Sequence, residues 1–477
     1  MLFNSLEYAV FLLFVVGVYF ALPFRLRVWF LLAASYYFYM RWRWEFIFLI
    51  VAQTFVTFEA ARRIAHAKSE IVRRFWLSTS IVFCLGLLGY FKYLNFFQDA
   101  LRPMFEVAGL SYLAPHLDII LPVGISFYTF QALSYTIDVY RGAHVAEPYL
   151  ARYALYVAFF PQLVAGPIER ATHLLDQFSR RNRFDIERFI DGGKLIVWGL
   201  FKKVVIADRL AIYVDRVYES PELYSGPTLL MATYFFAFQI YCDFSGYSDI
   251  AIGSARILGY DLMQNFRVPY MARSISDFWR RWHISLTSWF RTYLYLPLGG
   301  SRVGYLKWAR NILAVFLISG LWHGANWTFI VWGGLHATYY FAESGTRRIA
   351  VRSGVRTVLP GYLIDALRIL LTFHLVLLSW VFFRASSVAD AGLILTKIFT
   401  DFGGAIYMGA SQLTTLLSIA LIGVLVAVQV MQEKGFVSLY FSKSRIPAAF
   451  RWPLYAGMIL CISTLGVSSN AFIYFQF

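Results

Sequence analysis

Apolar runs of membrane length follow one another along almost the entire chain, separated by short polar gaps. They lie near 3–22, 28–40, 44–60, 75–97, 119–138, 189–212, 228–255, 361–383, 412–432 and 452–472. A helix rises ~1.5 Å per residue and the hydrocarbon core of a bilayer is ~30 Å thick, so about 20 apolar residues cross it. These runs therefore predict ten membrane-spanning helices and an all-α, polytopic integral membrane protein. The run at 28–40 is short and must tilt little or thin the bilayer. Residues 1–20 are apolar and lack the basic flank of a cleavable signal peptide, which reads as a retained first span. The whole of 1–477 reads as a single membrane-embedded domain.

Two more apolar stretches are interrupted. The run 151–168 contains Pro161, Gly166 and Pro167, and the stretch 311–341 is broken by His323-Gly324-Ala325-Asn326. If both are re-entrant, ten full spans remain and both termini face outward. The loops 23–27, 61–74, 139–152, 168–188, 256–310, 344–358 and 433–451 then hold 31 of the 43 Lys and Arg. The opposite loops 41–43, 98–118, 213–227 and 384–411 hold 6, and 6 lie within spans. That asymmetry is the positive-inside signature, and making either stretch a true span would spoil it. Irregular backbone at membrane depth is tolerated only where protein buries it or a water-filled cavity adjoins it. Arms of about 12–16 residues would carry the tip of the 311–341 hairpin roughly 18–24 Å into the core. A polar tip at that depth implies a cavity approached from the cytosol.

Composition supports the same class. Hydrophobic residues make up 59% of the 477, and charged residues only 15%, where about 25% is usual for a soluble domain. A soluble enzyme, a disordered chain and a nucleic-acid-binding domain are excluded, and the net charge of +16 belongs to the inner loops. Cys84, Cys242 and Cys461 are far apart, without disulfide or metal-type spacing.

Candidate chemistry follows from polar residues in apolar surroundings. His66, His116, His144 and His173 fall in loops, where a solvated histidine is expected. His323 lies within the hairpin, and an ionisable group inside a membrane usually faces a bundle interior or a pathway. Imidazole also suits general-base chemistry near neutral pH. The alternative is a ring bonded to a nearby carbonyl and packed between Trp322 and Trp327. His283 sits among alternating aromatic and basic residues, Trp279-Arg280-Arg281-Trp282-His283, so an interfacial anchor is an equal alternative to a site role. His336, on the return arm, reads as core packing or as a partner of His323. Phe160-Pro161-Gln162-Leu163-Val164-Ala165-Gly166-Pro167 reads as a kinked passage lining or a helix end. Asp243 and Asp249 are costly within a span and are expected to pair with arginines. Cys242 lacks a sequence neighbour that would activate it. Lys202 and Lys203 could hold phosphates of a cytosolic donor or snorkel along a tilted helix. On these residues alone, a transporter and an acyltransferase both remain open.

The motifs Arg281-Trp282-His283-Ile284-Ser285, Tyr295-Leu296-Pro297-Leu298-Gly299-Gly300 and Gly320-Leu321-Trp322-His323-Gly324 resemble those of the membrane-bound O-acyltransferases. Phe160-Pro161-Gln162, Gly199-Leu200-Phe201-Lys202-Lys203, Asp243-Phe244-Ser245-Gly246-Tyr247-Ser248-Asp249 and the ending Phe472–Phe477 resemble the branch that serves alginate O-acetylation. The resemblance runs from about Leu6 onward. It implies a funnel-shaped multi-helix fold in the bacterial inner membrane and transfer of an acetyl group from a cytosolic donor for O-acetylation of an exported polysaccharide. No bound cofactor is implied; acetyl-CoA is the expected donor. The expected partners are a periplasmic O-acetyltransferase, polysaccharide biosynthesis and export proteins, and membrane lipid. His323 and His283 become the expected catalytic pair, with no metal. Asn326, Arg280, Arg281, Lys202, Lys203 and Trp322 become the expected donor or substrate-binding set. D-alanyl transfer to teichoic acid, a transporter with histidine proton relays, and a scaffold docking its partner through Phe472–Phe477 are the alternatives. No inverted repeat favours the transporter.

Overall fold

The computed structural model describes residues 1–111, 115–353, 360–438, 447–467 and Phe472. The end of the Phe472–Phe477 peptide and parts of the loops 98–118, 344–358 and 433–451 lie outside the described residues. Among the described residues every regular element is a helix. Each of the ten apolar runs is helical over most of its length, as their patterning predicts. Four stretches are long and apolar enough to cross a membrane: Trp44–His66, Glu70–Val107, Gly361–Arg384 and Gln412–Glu433. In the second of these only 17% of the apolar window is buried, so its outward face suits an apolar solvent.

The chain forms two compact units, one of residues 1–193 with 251–263 and the other of 194–250 with 264–477. The first contains α1 (Leu6–Ala21), α2 (Phe24–Met40), α3 (Ile47–His66), α4 (Glu70–Leu88), α5 (Leu94–Val107), α6 (Ile125–Tyr140), α7 (Leu150–Ala158) and α8 (Ala171–Leu174). Helix α6 packs on α3 and α4 and is buried nearly throughout, which explains why it carries apolar and small polar residues on every face. Helix α7 has only nine residues, and 159–166 continue as buried turns; the run 151–168 is thus no single helix. Beyond it, Glu169 is fully buried, accepts from the Met263 backbone N–H at 2.5 Å and meets His173 Nδ1 at 2.6 Å. His173 thus pairs with Glu169 while its ring stays exposed, as a loop histidine was expected to be. His144, by contrast, is largely buried, beside Tyr135.

The second unit holds the later part of α9 (Ile186–Leu200), a π-helical turn Phe201–Ala207, α10 (Asp208–Glu219) and most of α11 (Gly226–Ile257). It continues through α12 (Ile275–Arg281), α13 (Ile284–Phe290), a π-helical turn Arg291–Tyr295, α14 (Tyr305–His323) and α15 (Trp327–Ser353). Helices α16 (Gly361–Arg384), α17 (Val388–Thr400), α18 (Gln412–Glu433) and α19 (Ala448–Leu465) complete it. The stretch 256–310, expected as an interfacial loop, instead folds into short helices that bury Phe278, Trp282 and His283. Its aromatic residues find better packing on α15 and α16 than on a membrane surface: Trp282 lies 5.0 Å from Trp380, ring centre to ring centre.

Helices α14 and α15 form the expected hairpin, but its arms have 19 and 27 residues. At ~1.5 Å per residue they measure roughly 28 and 40 Å, longer than the apolar stretch suggests. Polar residues at 305–310 and 342–353 continue the helical hydrogen bonding past the apolar zone. Two glycines make the arms close-packed. A Cβ on Gly320 would stand 2.2 Å from the Phe329 carbonyl oxygen, and one on Gly333 would stand 2.3 Å from that of Phe316.

Gly320→Ala should therefore push the arms apart and destabilise the unit by about 1–3 kcal/mol or more. Gly334→Ala, whose Cβ would only touch the Leu317 side chain at 4.0 Å, should be near neutral. Equal melting temperatures for the two variants in detergent would refute this account of the hairpin. A second expectation concerns Glu169 and His173. Burial raises the Glu169 carboxyl pKa, and the bond to Glu169 raises that of His173. A histidine raised in this way stabilises the fold below its unfolded pKa and loses that contribution as pH climbs through the folded value. His173→Gln should thus lower thermal stability more at about pH 6 than at about pH 9; an equal loss at both would contradict the pairing.

Candidate functional site

His323 is the last residue of α14 and is only 3% exposed. A helix C-terminus is the negative end of the macrodipole, so this position supports the positive charge an imidazole acquires on taking a proton. Four residues later α15 begins at Trp327, and its positive end favours developing negative charge beside the same turn. Around the His323 ring stand Trp322 at 5.0 Å, Trp332 at 5.1 Å and Phe383 at 5.4 Å between ring centres. The His283 ring lies 6.3 Å away.

His283 joins α12 to α13 and is fully buried, with φ at +43°. That left-handed conformation is uncommon for a residue with a side chain and persists only where the surroundings fix it. Here two backbone bonds do so: Ile284 N–H donates to the Asn265 carbonyl at 2.9 Å, and Arg267 N–H to that of Arg281 at 2.9 Å. The Asn265 side chain fixes the ring as well. Its Oδ1 accepts from the Ser285 backbone N–H at 3.4 Å, an obligatory donor, and from Ser285 Oγ at 2.8 Å, and its Nδ2 donates to Ser248 Oγ at 3.3 Å, so the amide has one orientation. His283 Nδ1, 3.1 Å from the same Oδ1, must then be the donor, and in the neutral ring Nε2 holds the lone pair. Such a ring is an acceptor at Nε2, which disfavours polarisation of a donor carbonyl by His283 and favours accepting a proton or hydroxyl.

A cavity of about 420 Å³ opens between α12, α13, the π-turn Arg291–Tyr295 and α14. Trp279, Phe290 and Phe316 give it apolar walls, Thr287 and Ser319 give it hydroxyls, and exposed Arg280 and Arg291 mark its mouth. On α14 its lining residues Ile312, Phe316 and Ser319 follow helical spacing, and His323 is the next position on that face. Asn311 donates to the Leu298 carbonyl at 2.9 Å, which ties the Pro297–Gly300 turn to the same helix.

The remaining expected site residues are distributed unevenly. Arg280 lines the cavity. Arg281 instead bonds Asp277 at 2.9 Å and Glu433 at 2.7 Å. Trp322 is in place, packed between the two histidines at 5.0 and 5.9 Å. Asn326 serves the backbone: its Oδ1 accepts from Thr328 N–H at 3.0 Å, capping α15, and its Nδ2 donates to the Ser386 carbonyl at 3.3 Å. Lys202 and Lys203 are buried and neither snorkel nor face a cavity among those described. Lys202 meets Asp249 at 2.8 Å and Ser245 at 2.8 Å, and Lys203 meets Asp208 and Asp243, each at 2.7 Å. The two aspartates of α11 thus pair with lysines rather than arginines, brought close where Gly199 crosses Gly246. Cys242 is fully buried. Sequence reading missed Asn265, Arg291 and Ser319. Only Ser319 carried a signal, four residues before His323 on one helix face; Asn265 reaches the site through irregular backbone that no periodicity describes, and Arg291 through the π-helical turn that continues α13.

Residues 143–388, which include both histidines and the whole cavity lining, match the model of MBOAT, the membrane-bound O-acyltransferase family. A probable alginate O-acetylase AlgI of Azotobacter vinelandii is 41% identical over 387 residues, covering 80% of this chain and 75% of that protein. A peptidoglycan O-acetyltransferase of Helicobacter pylori is 35% identical over 412 residues, covering 80% of this chain and 75% of its own. A teichoic acid D-alanyltransferase of Bacillus subtilis is 28% identical over 290 residues, covering 56% and 70%. Both the motif-bearing segments and the relatives' extent agree, and the chain belongs to the membrane-bound O-acyltransferase family, as a helical membrane O-acyltransferase.

Proposed function

We propose that this enzyme moves an acetyl group from a cytosolic thioester, acetyl-CoA, for O-acetylation of an exported polysaccharide such as alginate. The observation that carries the reading is the cavity with two guanidinium groups at its mouth and a helix face leading to His323. The alginate O-acetylase relatives support the substrate class, and the D-alanyltransferase relative matches a smaller share of this chain. The protein is read as a multi-pass component of the bacterial inner membrane with ten crossings and two re-entrant stretches, oriented by its 31 inner basic residues. A periplasmic O-acetyltransferase completes transfer to the polymer, alongside biosynthesis and export proteins.

In the reaction, the donor carrier's anionic groups meet Arg280 and Arg291, which take the role first expected of Lys202 and Lys203, and its acyl end enters between Trp279 and Phe316. His323 takes the proton of an acceptor hydroxyl as the hydroxyl oxygen attacks the thioester carbonyl carbon. The tetrahedral intermediate collapses with cleavage of the C–S bond, and the imidazolium returns the proton to the departing thiolate. The negative charge that forms meanwhile is favoured by the N-terminal end of α15, which Asn326 caps rather than supplies. His283, acceptor at Nε2, orients the hydroxyl or the His323 ring.

His323→Ala should lower kcat by about 10²–10⁴-fold, the range for loss of a general base. The measurement is transfer of labelled acetyl from acetyl-CoA in vesicles that carry the periplasmic partner; wild-type turnover by a folded variant would sink the assignment and favour a scaffold. Arg280→Gln and Arg291→Gln should each raise KM for acetyl-CoA by about tenfold, as loss of a charge-assisted contact predicts. Their kcat should be nearly unchanged, and an unaltered KM in both would remove the cavity from the donor path.

A further inference from the structure

His336 lies midway along α15, thirteen residues after His323, and is fully buried. The indole of Trp279 has only an N–H to offer, and its Nε1 stands 3.3 Å from His336 Nδ1. That nitrogen is therefore the acceptor, and the proton of the neutral ring sits on Nε2. From there it is donated to Ser379 Oγ at 3.0 Å, and the Ser379 hydroxyl donates in turn to the Val376 carbonyl at 2.7 Å. Every link has one direction, and the chain ends on a backbone carbonyl of α16. Around it the ring stacks with Phe278 and Phe316, at 6.2 and 6.1 Å between centres, and meets the edge of Trp332 at 4.9 Å.

The held element is α12, seven residues long and too short to be stable as a helix alone. It carries Trp279 and Arg280, adjacent residues that both line the cavity. Its other polar ties are Ser274, which caps it, the Ser276 N–H donated to Glu343 at 3.0 Å, the Arg281 carbonyl that accepts from Arg267 N–H at 2.9 Å, and the Arg281 side chain, which bonds Asp277 and Glu433. None of those acts on the Trp279 side chain. We propose that His336 is a positioning residue for the acyl donor: by holding the Trp279 indole it sets α12, and with it Arg280, against the donor cavity. This rests on reading that cavity as the donor site. It assigns His336 no contact with substrate and no proton transfer; an imidazole fits the position because it can accept from an indole and donate to a hydroxyl at the same time.

The test is initial-rate kinetics of acetyl transfer from acetyl-CoA by the full chain with its periplasmic partner, using His336→Ala, His336→Gln, Ser379→Ala and Trp279→Phe. Loss of one buried hydrogen-bond partner predicts a rise in KM of about tenfold for His336→Ala, with kcat within about threefold of wild type. Glutamine, which carries both an acceptor and a donor, should recover most of the loss. Trp279→Phe combined with His336→Ala should be no worse than the more affected single variant, because both break one link. A fall in kcat at unchanged KM, or additive single effects, would overturn the proposal. If His336→Ala fails to fold, Ser379→Ala decides: a raised KM supports the chain and an unchanged one defeats it. Arg280→Gln and Arg291→Gln separate the two readings. Should both leave KM unchanged, the donor cavity fails whatever His336 does; should either raise KM while His336→Ala does not, only the positioning role fails.

Discussion

Hydrocarbon offers no partner to a polar group, so a chain that lives in it must supply every partner itself. Lys202 and Lys203 show the constraint most plainly. Two adjacent ammonium groups sit inside the second unit, and each is met by carboxylate at hydrogen-bond distance, Lys203 by two. Removing Lys202 or Asp249 would leave an uncompensated buried charge, which typically costs about 3–5 kcal/mol, whereas losing Asp208 or Asp243 still leaves Lys203 one carboxylate. The same rule explains why Thr57 is hydrogen-bonded to Tyr153 at 2.7 Å and Tyr218 to Thr233 at 3.0 Å. Once internal pairing is taken as the default, polar residues grouped around an opening rather than around one another stand out, and Arg280 and Arg291 are such a pair.

Much of the architecture was legible because a membrane writes its thickness into the sequence. Apolar runs located the helices, and a polar break located the turn that carries His323. The same signal understates helix length where a helix leaves the apolar zone, as α14 and α15 do at their basic ends. It also misjudges segments whose partners are distant in sequence. The aromatic stretch around Trp282 has the composition of an interfacial anchor, and only its contact with Trp380, nearly a hundred positions later, makes it core. Asn265 was invisible for a related reason: a lone amide in a short irregular strap has no period to betray it. Asn326, expected in the substrate-binding set, caps α15 instead: a cap and a binding amide ask for the same side chain, and only the bond to Thr328 distinguishes them.

The turn between α14 and α15 gathers two opposite electrostatic environments within five residues. One helix ends where positive charge is favoured, and the next begins where negative charge is favoured. A proton acceptor and a developing alkoxide-like centre therefore find support from the backbone itself, without an ionised side chain that the bilayer would penalise. Aromatic rings complete the enclosure: they exclude water and lower the local dielectric, which strengthens those dipoles.

The positive φ of His283 has an evolutionary corollary. Glycine adopts that conformation without strain and asparagine with little, so the backbone favours either, while the buried ring's bond to Asn265 and its contact with Phe244, at 4.6 Å between ring centres, favour histidine. Where the imidazole is no longer needed for chemistry, only those contacts oppose the exchange. Descendants released from that need, retained as inert assembly members, should be recognisable by glycine or asparagine between an otherwise intact arginine-tryptophan pair and the helix that follows.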